Sequence, residues 1–444
     1  MNRRRRLLPT AVVTVLGVGL FLAGGLGLAP SGGGGQSASD SRAGDEGGTG
    51  VGLDADIRGL QQHLKAAPGD TLAMASLGLA YVQQAKITGD PSYYPKAQAI
   101  LTESLTAEPA ENFTAMAGMA ALDAARHDFT SALDWSQKAI AVNPDNSTLY
   151  GTLADAYTQL GRYPESFDAV QRMVDLKPGT PSLARASYTW ELRGDTAAAT
   201  AHMKRAFDDA NTPADRAFTL YHLSQLALDS GDAKTALTHA EAGLRTAPAT
   251  ASLLEAKAKA EAALGDTTAA VADLQRAAGQ VPQPEYVLQL GELLQSVGRQ
   301  TEAEQQYQVF RSEQRLFTEN GVALDTDAAL FEADHGDPAA ALAIAEQGLK
   351  TRPFLEMHDA YAWALHVNGR DQEALAQSAE ALSLGTRNAL FYYHRARILQ
   401  GLGRPGEARS ELESALAINP AFHPLHAPAA RAALAKLGNP NSAG

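Results

Sequence analysis

The chain has 444 residues, of which 45% are hydrophobic and 20% are charged, a composition typical of a globular protein with a large core. It contains no cysteine, and this excludes disulfides, thiolate metal sites and a cysteine nucleophile. The formal net charge is -13, and the sequence has no basic stripe with interleaved aromatic residues, so we expect no nucleic-acid partner.

The chain begins with a basic segment, residues 1–6, that contains four consecutive arginines. Residues 7–29 follow without a charge. As a helix they would extend about 34 Å, which is enough to cross a hydrocarbon core of about 30 Å. A secretory signal has the same order of features, but this segment is longer than a signal core, and its best cleavage site, at Ala29, is followed by Pro30. The sequence therefore favours an uncleaved transmembrane anchor over a cleaved signal segment.

The arginines also predict the orientation of this anchor, because basic residues stay on the cytoplasmic side. We expect a single-pass protein of the cell membrane whose bulk is extracytoplasmic; the alternative is a protein secreted after signal cleavage. Gly19, Ala23 and Gly27 form a face of the kind that pairs membrane helices. Small residues are common in such helices without pairing, so an anchor-mediated dimer is disfavoured.

Residues 30–53 are rich in glycine and serine and lack apolar periodicity, which predicts a flexible linker. After it, Ile57, Leu60 and Leu64 have helical spacing and predict a short first helix that ends at Pro68.

Residues 54–426 repeat with a period of about thirty-four, and three classes of position share the repeat. Glycines recur at Gly161, Gly194, Gly231, Gly265, Gly298, Gly336, Gly369 and Gly403. A small residue stands five positions later in each unit, and two earlier units share it: Ala97, Ala132, Ser166, Ala199, Ala236, Ala270, Ala303, Ala341, Ala374 and Ala408. Prolines follow most of these after twelve more residues, at Pro109, Pro144, Pro178, Pro248, Pro282, Pro353 and Pro420.

Each unit predicts a helical hairpin. An amphipathic helix ends at a glycine that tolerates positive φ, and a second helix, whose small residue allows close approach, is stopped by the proline. The first hairpin has a longer turn, about Ile87 to Tyr94, the second has His127 in place of the glycine, and the second helix of the seventh runs on to Asn320. Residues 427–438 predict a closing helix over the last hairpin, and residues 439–444 a tail.

The period and the pattern Leu-Ala…Tyr…Gly-x-Tyr…Ala…Pro closely resemble the tetratricopeptide repeat over about residues 70–421. The resemblance implies an all-α solenoid, a superhelix of about ten antiparallel hairpins, in an exported or membrane-anchored protein of bacterial, actinobacterial-like type. It also implies a protein or peptide partner, whose identity the sequence does not give.

Where this family binds partners, residues 2, 5, 9 and 12 of the first helices line the concave surface. The same register in this chain selects Tyr188, Glu191, Tyr221, Gln225, Glu255, Lys259, Glu292, Gln295, Asp359, Trp363, His366, Tyr393 and Arg397. We expect Trp363 and Tyr393 to dominate binding, because large desolvated aromatics supply much of the energy of such contacts. The alternative for each aromatic residue is packing within the hairpins.

No zinc-protease, nucleotide-binding or hydrolase signature is present, so we expect a non-enzymatic scaffold without a cofactor. His394, His423 and His426 are a weak metal candidate, because neutral imidazoles bind divalent ions when a third ligand completes the site. Pro424 separates two of them and no carboxylate adjoins, which favours ordinary packing. The alternative functions are an envelope protein that handles metal or a small ligand, and a regulatory arm for a separate transporter or enzyme.

Overall fold

The computed structural model describes residues 50–281 and 283–438, and within them the chain forms twenty-two α-helices and no strand. The helices are α1 Gly50–Ala66, α2 Thr71–Thr88, α3 Tyr93–Ala107, α4 Phe113–Ala125, α5 Phe129–Val142, α6 Ser147–Gln159, α7 Tyr163–Leu176, α8 Thr180–Leu192, α9 Thr196–Asp209, α10 Pro213–Asp229, α11 Ala233–Thr246, α12 Ala251–Leu264, α13 Thr267–Gln280, α14 Pro284–Ser296, α15 Gln300–Glu319, α16 Thr326–His335, α17 Pro338–Thr351, α18 Leu355–Val367, α19 Asp371–Ala381, α20 Ala389–Gly401, α21 Pro405–Ile418 and α22 His426–Leu437.

Helices α2 to α21 pair into ten hairpins, each made of an even-numbered first helix and the odd-numbered helix that follows it. The expected all-α hairpin solenoid is therefore confirmed for the described residues. Helix α1 packs on α2, and α22 packs on α21 and α20. Helix α1 begins at Gly50, inside the expected linker. Asp54 in its second turn accepts a hydrogen bond of 2.9 Å from Gln84 of α2.

Close approach of the two helices in each hairpin depends on the small residue that the repeat places in the second helix. All ten of these residues are at most 1% exposed. A larger side chain there would separate the helices, and over-packing of this kind costs about 1–3 kcal/mol. The repeat is therefore a packing requirement of the hairpin.

The turns of the hairpins use the expected backbone at most positions. Seven of the eight repeat glycines have positive φ, and His127 takes the same conformation, with a φ of 63°, in the second hairpin. Gly336 differs, with a φ of -130°.

In nine of the ten hairpins the residue after the turn begins the second helix in one of two ways; α3 of the first hairpin, which follows Ser92, is the exception. In five hairpins an aspartate side chain accepts a hydrogen bond from a backbone N–H of the first helical turn, which satisfies a donor that would otherwise have no partner. In four others an arginine pairs with a glutamate three residues later: Arg162–Glu165, Arg299–Glu302, Arg370–Glu373 and Arg404–Glu407.

The superhelix closes on itself, so that its successive turns touch. The turn of the second hairpin meets the loop before α16, where Ala323 donates its N–H to the Arg126 carbonyl at 3.1 Å. The His127 ring lies 3.1 Å from the Ala323 carbonyl. In the third hairpin the Tyr163 hydroxyl accepts a hydrogen bond of 2.8 Å from the Leu355 N–H.

The fourth and fifth hairpins make equivalent contacts with the loop before α20 and with the segment after α21. Thr386 donates its hydroxyl to the Leu192 carbonyl at 2.5 Å, and Asn419 donates its side-chain amide to the Leu228 carbonyl at 2.9 Å. The side-chain contacts join residues 191 to 196 positions apart. The inner surface, which we define as the surface that the first helices turn toward the superhelix axis, is therefore enclosed by two contacting turns.

No helix within residues 50–281 and 283–438 is long and apolar enough to cross a membrane. The predicted anchor, residues 7–29, and the predicted tail, residues 439–444, lie outside the described residues.

Candidate functional site

The inner surface carries polar side chains where hairpins from both turns of the superhelix converge. Tyr188 and Glu191 of α8 line a cavity of about 640 Å³ together with Asp229 of α10 and Glu356 of α18. Asp229 is exposed and Glu191 is half-buried, so water reaches the cavity. With Asp195, four carboxylates thus line one water-accessible space, together with two arginines, Arg193 and Arg387.

Burial and neighbouring negative charges disfavour the ionised forms of Glu191 and Glu356. Burial, together with the charges of Asp229 and Glu356, raises the pKa of Glu191 to about 8. Burial is also the main cause that raises the pKa of Glu356 to about 7, and Asp325 and Asp359 add to it. Arg193 and Arg387 also line the cavity, but no cation is among the causes at Glu191 or Glu356 within the described residues. The side of the cavity that carries these two acids therefore favours a positively charged or hydrogen-bond-donating group.

A second polar group lies on α12, α14 and α16. Glu255 is fully buried, and an Nζ–Oε1 distance of 3.2 Å joins it to Lys259, whose pKa is raised mainly by that carboxylate against the effect of burial. Glu285 and Asp327 face the same lysine, and burial raises both of their pKa values, that of Asp327 to about 7. The positive charge of Lys259 is therefore shared by several acidic side chains. Beside this group, Gln225 donates its side-chain amide to the Tyr221 hydroxyl at 3.2 Å.

The last hairpins hold a network of histidines and carboxylates. Glu292 lies between two imidazoles, 3.2 Å from His335 and 3.1 Å from His423. Burial opposes the charge of Glu292, but the two histidines outweigh it and lower the pKa of Glu292 well below its usual value. Three expected groove residues also have hydrogen-bond partners within the fold. Gln295 pairs with the Tyr307 hydroxyl, Asp359 with His394, and His366 with Asp371. Arg397 is half-buried near Tyr393.

Trp363 and Tyr393 are core residues. The expectation that they are open to a partner is therefore wrong. They are 6% and 3% exposed. The Trp363 indole N–H donates to Asp334 at 2.9 Å, and the Tyr393 ring stacks on His426 with 5.0 Å between centroids. The physical reason is that the segment after α21 folds back across the inner side of the last hairpins, and its Phe422 and His426 cover both rings.

The three histidines of the metal candidate come together, but each faces a different acid. His394 is 2.8 Å from Asp359, His423 is 3.1 Å from Glu292, and His426 is 3.1 Å from Asp334. The expectation that no carboxylate adjoins them is wrong, because the acids come from α14, α16 and α18. Among the described residues no group of three histidines or carboxylates that could hold a metal ion is found.

The sequence analysis missed Asp229, Glu285, Asp327 and Glu356. Two of them had a signal, because Glu285 and Glu356 both stand thirteen residues before a turn glycine. That is position 2 of the family's concave register. Asp229, in the last turn of α10, stands one residue past position 12, and Asp327 lies between positions 5 and 9, so neither gives such a signal.

Three segments of the chain match family models described as tetratricopeptide repeat: residues 116–181 and 221–285 match one model, and residues 389–422 match a second. No curated protein matches the chain.

Several solved structures are similar to the chain at low identity. A tetratricopeptide repeat protein from Parabacteroides merdae is 18% identical over 59% of this chain and 99% of its own, with a TM-score of 0.34. Human IFIT1, solved as a dimer with PPP-AAAA, is 13% identical over 82% of this chain and 86% of its own, with a TM-score of 0.45. Yeast Tom70 is 14% identical over 82% of this chain and 96% of its own, with a TM-score of 0.33.

Proposed function

We propose, from the tetratricopeptide repeats that the chain contains, that it is a scaffold that binds a protein or peptide on the inner surface and catalyses no reaction itself. Tetratricopeptide-repeat proteins are generally scaffolds for protein interaction and generally non-catalytic. The proposed partner-binding surface runs from Glu191 and Asp229 to Glu356, and the partner presents basic or hydrogen-bond-donating groups to it.

The observation that carries the proposal is the crowding of carboxylates in an enclosed, water-accessible space. Burial, together with the charges of Asp229 and Glu356, raises the pKa of Glu191 to about 8, so a negative charge on Glu191 is costly. Apolar side chains would stabilise the fold more at the half-buried positions of Glu191 and Glu356, because crowded charges that are partly removed from water contribute little to stability. Basic groups of a partner would relieve this repulsion.

The test compares partner capture from solubilised membranes by two variants of the full chain. The inner-surface variant carries Glu191→Gln, Asp229→Asn and Glu356→Gln. The control carries Glu103→Gln, Asp134→Asn and Glu241→Gln, which change three exposed acids on second helices. We expect capture to fall at least tenfold in the first variant and to be unchanged in the control. Equal capture by the two variants would refute the inner surface as the binding site.

We further propose that residues 7–29 hold the scaffold on the outer face of the cell membrane. Support comes from the uncharged length of this segment and the arginines before it. A reporter fused after Gly444 is expected to be active outside the membrane, and the chain is expected to resist carbonate extraction. Recovery of a soluble product that begins near Pro30 would refute the anchor and show that the protein is secreted after cleavage.

A further inference from the structure

A second cavity lies on the inner surface of the first four hairpins, away from the crowded acids. Its volume is about 140 Å³, and α2, α4, α6 and α8 contribute to its lining. Leu79 and Val82 of α2 lie there beside Ala117, Ala120 and Ala121 of α4. The small side chains of α4 leave the space open and make part of its lining apolar.

The charged side chains at this cavity are all basic. Lys86, Lys177 and Arg185 line it, and no aspartate or glutamate is among the described residues that do. This contrasts with the whole chain, in which 50 acidic residues outnumber 37 basic ones. The local reversal of charge favours an anionic occupant over water or a cation.

Arg185 is held in place by an acid outside the lining. Its Nε and Nη2 donate to the two carboxylate oxygens of Asp155, at 3.1 and 2.9 Å. The guanidinium lies flat over Gly151, where a Cβ would stand only 3.0 Å from the Arg185 Cζ. Asp155 is therefore engaged by Arg185.

Lys86 is left without a partner. Within residues 50–281 and 283–438 it makes no hydrogen bond and no ion pair, although it is half-buried. Burial is the main cause that lowers the pKa of Lys86 to about 7; Asp155 acts in the opposite direction, and Arg185 acts in the same direction as burial. The Ser136 hydroxyl, on a residue that is 2% exposed, also lines the cavity and also has no hydrogen-bond partner among the described residues.

We infer that this cavity binds a small organic oxyanion, a carboxylate or phosphate group carried on a short aliphatic body, whose charged oxygens contact Lys86. The Ser136 hydroxyl is a further donor in the cavity, and the aliphatic body packs against α2 and α4. This site goes beyond the proposed function, because its ligand is a small molecule and not a protein.

The charge of Lys86 makes binding depend on pH. The charged groups around it are Asp155 on α6, Arg185 on α8 and Lys177 at the rim, while α4 lines the cavity only with alanines. Below pH 7 the ammonium is charged and attracts the oxyanion. Above pH 7 the amine is increasingly neutral, so the affinity is expected to fall.

Calorimetric titration of the full chain at pH 6.5 tests the inference with octanoate and octyl phosphate as probes. Octanol and octylamine have the same aliphatic body without the negative charge, and inorganic phosphate has the charge without the body. We expect one equivalent of octanoate or octyl phosphate to bind at least tenfold more tightly than all three controls. Tighter binding of octanoate identifies a carboxylic acid as the ligand class, and tighter binding of octyl phosphate identifies a phosphate ester.

Substitutions connect this binding to the lysine. Lys86→Met is expected to weaken oxyanion binding at least tenfold, Lys86→Arg to retain it, and Lys65→Met, at an exposed lysine of α1, to leave it unchanged. Lys86→Met removes an unpaired charge and is expected to fold, which the circular dichroism spectrum checks. Equal binding of octanol and octanoate, equal binding of inorganic phosphate, or normal oxyanion binding by folded Lys86→Met would overturn the inference.

Discussion

Replacement of Gly194 by alanine is expected to open the contact between the two turns of the superhelix. Gly194 has a φ of +72°, and a Cβ there would stand 2.2 Å from the Gly385 carbonyl oxygen. Because that oxygen belongs to the backbone, the turn of hairpin four and the loop before hairpin ten must move apart. The Thr386 hydrogen bond to the Leu192 carbonyl lies at the same contact and is lost with it.

The magnitude follows from three contributions. A residue with a Cβ in the left-handed region costs about 1–2 kcal/mol. Over-packing adds about 1–3 kcal/mol, and the lost hydrogen bond adds about 1 kcal/mol. Gly403→Ala is the matched control, since Gly403 has a φ of +69° but a Cβ there would meet no atom of the described part of the chain within 4 Å. Gly403→Ala should therefore cost only the first contribution, about 1–2 kcal/mol.

Hydrogen exchange measures both effects without assuming that a repeat array unfolds in one step. Gly194→Ala should accelerate exchange in its own turn and also near Gly385 in the loop between α19 and α20. Gly403→Ala should accelerate exchange only near its own turn. If Gly194→Ala affects its own turn alone, or if the two variants behave alike, the closed superhelix is refuted.

Three further predictions concern the last hairpins. Trp363→Ala should lower the free energy of unfolding by about 3–5 kcal/mol, because it empties a buried site; an unchanged denaturation midpoint would show that Trp363 is not core. Glu292→Gln should lower the pKa of His423, which Glu292 now raises from 6.5 against the effect of burial. In the native chain this pairing stabilises the fold below pH 6.5 and is lost as pH rises through the raised pKa; an unchanged NMR titration of His423 would contradict it. Deletion of residues 427–444 should uncover Leu412 and Ala415 and cause fraying or aggregation, whereas a monomer with the same melting temperature would show that α22 is not a cap.

The hairpins could be predicted from the sequence because their determinants are local. Each buried small residue lies five positions from a turn, and Pro109 and Pro353 each stand two residues after a helix end. The aspartate and arginine–glutamate starts of the second helices are equally local, but they differ between hairpins and so do not appear as one repeat.

The closure of the superhelix could not be predicted in this way. The contact between Tyr163 and Leu355 joins residues 192 positions apart, and it depends on small rotations accumulated over several hairpins. The error at Trp363 and Tyr393 has a related cause. Their register positions face inward as expected, but the segment containing Phe422 and His426 returns over them, and a helical period does not describe that return.

The most direct test of partner binding on the inner surface is photo-crosslinking from defined positions of the full chain. A crosslinking residue at Asp229 reports on the inner surface, and one at Lys204, an exposed position of α9, reports on the outside. We predict a crosslinked partner from Asp229 and none from Lys204. A partner that crosslinks from Lys204 but not from Asp229 would contradict binding on the inner surface.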